Sequence, residues 1–166
     1  MELKNVLKEL QSSKEFKDWH KEHKESILAH AFMLLDDANK DTWQLGFYNK
    51  DNTITTFMIS PKIIEVIPDQ EILRSEQEIL RLDTEISIEY EAALKTASEF
   101  RVSQYKQEIP LKTFFIIQQI PEGPIYNITF FFQSMKTLNV KLSAKDGNVI
   151  SNSFQSLMEV DKPLKK

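Results

Sequence analysis

The chain has 166 residues and 19.4 kDa, is 41% hydrophobic and 28% charged as soluble globular chains are, and contains three glycines and no cysteine. Without cysteine there is no disulfide framework, thiol nucleophile or thiolate zinc site, and three scattered glycines cannot form a phosphate-cradling loop. A formal net charge of -4 disfavours a nucleic-acid or anionic-membrane surface, because such a chain repels phosphate on average.

Leu3, Val6, Leu7 and Leu10 share one helical face, and Phe16, Trp19 and His23 continue a stripe after the Gln11-Ser12-Ser13 break, so one or two helices are expected up to about residue 24. Ile27 to Leu35 is almost continuously apolar and reads as a strand. After the turn-like residues 36–41, Trp43, Leu45 and Phe47 alternate with Gln44, Gly46 and Tyr48 in a second strand. Asn49-Lys50-Asp51-Asn52 is a hairpin turn, Thr53 to Ile59 the return strand, and Ile63 to Ile67 a short strand before Pro68. Residues 65–91 carry nine acids against Arg74 and Arg81, a net of -7. Ile72, Leu73, Ile79 and Leu80 recur there at a spacing of seven, which reads as a helical connector with an acidic face. Ile86, Tyr90, Ala93, Leu94, Ala97 and Phe100 form the stripe of a second helix, which cannot extend past Pro110. Leu111 to Ile120 is apolar on both faces and should be a central, covered strand. Tyr126 to Phe132 and Leu138 to Leu142 alternate as strands with one buried face, and Lys145-Asp146-Gly147-Asn148 turns the chain into a last strand from Val149 to Leu157.

The two halves share an order of helix, strands, a turn containing Lys-Asp, and a return strand, with Lys50-Asp51 and Lys145-Asp146 taken as equivalent. The expected fold class is α+β: a helix packed on a curled antiparallel sheet, in two duplicated units. The expected boundaries are 1–68 for an N-terminal helix plus antiparallel meander, 69–86 for the acidic helical connector, 87–158 for a helix plus four-stranded unit, and 159–166 for a tail. With no Pro/Gly/Ser-rich linker between them, the units should pack together or share a sheet.

Ile88, Ala93 and Ala97, then Pro124 to Ile128, then Val140 to Ile150 resemble the PepSY domain family. That family has an alanine-bearing helix, a Tyr-x-Val strand and a closing Val-x-Val-Asp-Ala-x-Thr-Gly-x-Val hairpin. This chain departs from the pattern at Ser143, in place of aspartate, and at Asp146, in place of threonine. The resemblance covers about residues 86–155, with residues 27–60 a fainter echo. It implies a small PepSY-like, cystatin-like module, of the kind that binds and inhibits in peptidase propeptides and that also occurs as a stand-alone or membrane-tethered module of unknown role, and it brings no catalytic residues.

Few residues stand in patterns that carry chemistry. His20 and His23 are spaced as two metal ligands on a helix with no third, so no metal or cofactor is expected. Trp19 and Trp43 read as core anchors. No serine sits in a Gly-x-Ser-x-Gly elbow, and Asp36 and Asp37 fall in a turn, so no enzyme is expected. Phe115, Ile117, Phe131 and Tyr48 fall opposite the better-filled core faces and form the candidate interaction surface. The resulting expectation is a non-catalytic, cytoplasmic module that binds an unidentified protein or peptide, with homodimerisation and inhibition as forms of that role and no nucleic-acid or membrane partner. Its location rests on an N-terminus without the apolar run of a secretory signal and on the lack of any stretch of about 20 apolar residues. The alternative is a small-molecule-binding or enzymatic cup between helix and sheet.

Overall fold

In the computed structural model, which describes residues 2–39, 41–71 and 78–159, the first apolar stripe forms helix α1 (Leu3–Ser12), burying Leu3, Val6, Leu7 and Leu10. The expected break follows, because the Ser13 hydroxyl accepts the Phe16 N–H at 3.1 Å and caps a separate helix α2 (Lys14–His20). Strands β1 (Ile27–Leu34), β2 (Trp43–Tyr48), β3 (Thr53–Ile59) and β4 (Ile64–Glu71) come next. Helix α3 (Tyr90–Gln104) then leads into β5 (Pro110–Ile120), β6 (Gly123–Phe132), β7 (Lys136–Ser143) and β8 (Val149–Ser156).

The eight strands of the described residues lie in one open antiparallel sheet of order β4-β3-β2-β1-β5-β6-β7-β8. The two meanders meet where β1 pairs with β5, from His30 opposite Gln118 to Leu34 opposite Phe114. The fold is therefore α+β, with the two halves sharing a sheet. Helices α1, α2 and α3 cover one face. Phe16 and Trp19 of α2 lie against Phe47 and Phe57, with ring centroids 5.2 to 5.5 Å apart. On the other half, Ala93 and Ala97 are fully buried, their methyl side chains letting α3 lie close to β6 and β7. A single core runs from Leu3 to Ala144 and includes residues of both halves.

The acidic connector is not the helix expected over 69–86. Asp69, Gln70 and Glu71 belong to β4, residues 78–89 run without helix to Tyr90, and residues 72–77 lie outside the described residues. Tertiary partners claim the backbone instead. The Leu82 N–H donates to the Leu28 carbonyl at 2.8 Å, with its side chain buried, and the Asp83 N–H donates to Gln119 at 3.0 Å. Closely spaced carboxylates also repel on a helical face and give it no support. Ser87 and Ile88 both donate to the Ala144 carbonyl at 3.1 Å, which delays the start of α3 to Tyr90. The Tyr126 hydroxyl donates to the Ile88 carbonyl at 2.6 Å, fixing this run to β6, and burial pushes that phenol above its ordinary range. The expected tail lies outside the described residues from 160 onward.

Gly46 is required by a close approach: a Cβ there would overlap the imidazole of His30, which lies on the face away from the helices. Burial holds the His30 imidazole below its ordinary value of 6.5. As pH falls below 6.5 the unfolded chain takes up a proton that the folded chain resists, so stability should fall with pH between 6.5 and the depressed value. Urea denaturation at pH 7.5 and 5.5 is expected to show this loss in the parent chain and a smaller one in His30→Gln. An equal loss in both would remove His30 as its source.

Candidate functional site

Side chains at directly paired positions share a face, so the pairing register assigns every strand residue to the helix side or the open side. Phe115 pairs with Ile128 and Ile117 with Tyr126, which puts both among the core residues under the helices at 1% exposure. There Phe115 meets Trp43 at 5.6 Å, Tyr90 at 5.3 Å and Tyr126 at 6.1 Å. They are thus not part of a surface, a correction to the sequence-based assignment. Phe131 and Tyr48 are half-buried on the opposite, open side, Phe131 beside Thr137 and Tyr48 with its hydroxyl 2.5 Å from the Asn52 side-chain oxygen. The four candidate residues do not come together. The assignment failed because β5 is apolar on both faces, and periodicity alone cannot say which face meets the helices.

The open face carries half-buried Phe32 and Leu34 of β1, Phe114 and Ile116 of β5, and Met58 of β3, with the Phe32 and Phe114 rings 5.7 Å apart. Toward β7 it turns polar, with Asn127, Thr129, Asn139 and Lys141. Only the pairing of β1 with β5 puts Phe32 and Phe114 on this face, because both strands are apolar on both sides and carry no alternation that reveals it.

The two sheet edges differ in kind. β4 carries Glu65, Pro68, Asp69 and Glu71, has its register broken opposite Ile54 and Thr56, and holds Asp69 at a φ of 26°. Charge, proline and irregularity are the features that block a further strand. In β8, Val149–Ser156, there is no charge and no proline, and only Phe154 and Ser156 are half-buried. Phe154 anchors the strand by stacking on Tyr105 at 4.3 Å, with the Lys136 ammonium 5.4 Å from its ring. Among the described residues no strand pairs with the outer side of β8. Exposed apolar side chains flank it, Val149 and Ile150 at one end and Met135, Leu157 and Met158 at the other. The Leu157 N–H donates to the Met135 carbonyl at 3.0 Å, which holds the second group together.

The histidines lie apart in role. His20 stacks on Phe16 at 5.4 Å, His23 stacks on Trp19 at 4.8 Å, and His30 is on the open face. Among the described residues no three His, Asp or Glu side chains converge as metal ligands. No helix there is long and apolar enough to cross a membrane.

Comparison with protein-family models and with curated proteins finds no match. Among solved structures the chain is similar to a candidate lipoprotein of Clostridium difficile 630, with a TM-score of 0.56 and 15% identity over 85% of this chain and 90% of that one. At that identity the likeness concerns the fold alone.

Proposed function

We propose that this chain is a non-catalytic binding protein that takes up an extended polypeptide segment as an added strand along β8. The observation that carries this reading is the contrast between the edges: β4 is blunted by Pro68 and three acids, while β8 offers an uncharged, exposed strand. A row of unsatisfied backbone N–H and C=O groups binds an extended peptide through main-chain hydrogen bonds, and flanking pockets supply preference. Here the flanks are apolar, so an uncharged segment with apolar ends suits them best.

The PepSY-like reading belongs to this proposal. It is supported by the Ser143–Asn148 turn, where Gly147 has a φ of 76°, and by the bond from Tyr126 that ties β6 to the run before α3. A duplicated unit is supported by the order of helix then four-stranded meander, seen twice, with the halves meeting through their first strands. Lys50-Asp51 and Lys145-Asp146 do not support it. The first pair joins the second and third strands of its half, and the second joins the third and fourth. Cytoplasmic location also remains part of the proposal, set against the lipoprotein description of the similar structure; fractionation of the native cells decides between them.

The test is selection of displayed decapeptides against the full chain, followed by binding to a Ser153→Lys/Gln155→Lys variant. Both positions are exposed, so stability should change by less than about 1 kcal/mol. Affinity for the selected peptides is expected to fall at least about tenfold, as lysines on an edge oppose strand pairing. Unchanged affinity would sink strand addition at β8. Sedimentation equilibrium covers the homodimer: a dimer dissolved by the same two lysines would make the added strand that of a second copy.

A further inference from the structure

The helix side of the sheet contains a second feature, independent of the β8 edge. A cleft of about 510 Å³ opens between α1, α2 and the connector run at residues 81–84, within the range of about 300–1,000 Å³ typical of small-molecule sites. Its floor is apolar: Leu7, Phe16, Leu28 and Phe47 line it and keep 6–9% exposure, whereas the core under α3 and β7 is sealed, with Ala93, Ala97, Leu138 and Val140 at 0%. The cleft thus reaches into the core. Gln11, His20, Arg81 and Thr84 supply polar groups at its rim.

The charge at this rim runs against that of the connector segment that supplies it. Residues 65–91 carry a net of -7 and the chain a net of -4, yet Arg81 is the only formally charged side chain among the described residues lining the cleft, and no carboxylate is among them. A guanidinium presents a planar fork of donors suited to a carboxylate, and an amide, a hydroxyl and an imidazole nearby add further hydrogen-bonding groups. We infer that the cleft binds an amphipathic monoanion of the fatty-acid kind, its carboxylate at Arg81 and its hydrocarbon tail against Leu7, Leu28 and Phe47. A zwitterion or an acidic peptide would place charge on that apolar floor, and a cation would meet Arg81.

The probe is decanoate, titrated calorimetrically into the full chain at low salt and below its micelle concentration. Decanol and decyltrimethylammonium serve as chain-matched controls. The expected result is saturable binding of one decanoate, at least tenfold weaker binding of both controls, and a loss of about tenfold in decanoate affinity for Arg81→Gln, the scale of one charge-assisted contact. Gln11→Trp, a bulky replacement at an exposed rim position, should abolish binding while leaving the melting temperature unchanged. Methyl NMR should place the perturbation at Leu7, Leu28 and Leu82. The proposal is overturned by equal affinity for the three amphiphiles, by binding that Arg81→Gln leaves intact, by non-saturating partition, or by heat that follows dimerisation of the protein. None of these results bears on strand addition at β8, so the two sites fail or stand separately.

Discussion

Phe115→Ala is expected to lower folding stability by about 3–5 kcal/mol, the cost of emptying a buried aromatic site. Phe131→Ala should cost less than about 2 kcal/mol, since its ring is only half-buried. The difference follows from position. Phe115 lies 1% exposed between Trp43, Tyr90 and Tyr126, so its removal leaves a void bounded by rings from β2, α3 and β6. Phe131 faces the uncovered side, where water replaces part of what is lost. Urea denaturation of the two variants measures this directly. Equal costs would mean that the two faces are covered alike and that helices do not define the core side.

Leu82→Ala is expected to cost about 2–5 kcal/mol, more than any other truncation in residues 78–89. Leu82 is the described connector residue that is 3% exposed, and its N–H is bonded to Leu28 of β1. It fastens the run between the meanders to β1, just before the residues through which β1 pairs with β5. Losing the side chain empties a buried site beside Leu28 and also weakens the hold on residues 78–89. Leu80→Ala, half-buried on the other side of the run, should cost less than half as much. Comparison of the two by thermal and urea unfolding checks the point, and equal effects would contradict a strap anchored through Leu82.

Much of the fold was legible because strands announce themselves by alternation. Strands β2, β6 and β7 fall where Trp43-Leu45-Phe47, Tyr126-Ile128-Phe130 and Leu138-Val140-Leu142 alternate, and Ser13 and Gly147 mark a helix start and a turn for reasons local to their own chemistry. What failed depended on distant partners. The face of β5 is decided by its pairing with β1 and β6, which Phe114, Phe115, Ile116 and Ile117 cannot express when all four are apolar. The connector has a heptad-like spacing of leucine and isoleucine, but Leu28, Gln119 and Ala144 take its backbone hydrogen bonds. The candidate site was less legible still. An edge is a property of strand order, so Val149–Ser156 reads as one more strand until β7 is known to be its one neighbour among the described residues. Even so, the lack of charge from Val149 to Ser156 and the crowding of Glu65, Pro68, Asp69 and Glu71 at the other end were visible in the residues.

Strand addition can be read most directly by amide hydrogen exchange of the full chain, free and saturated with a selected decapeptide. Exchange slows where a backbone N–H gains a partner. The expected result is new protection at alternate amides of Val149–Ser156, with β4 exchanging as before. Protection confined to β4 or to the helices, with β8 unchanged, would contradict the role given to this edge.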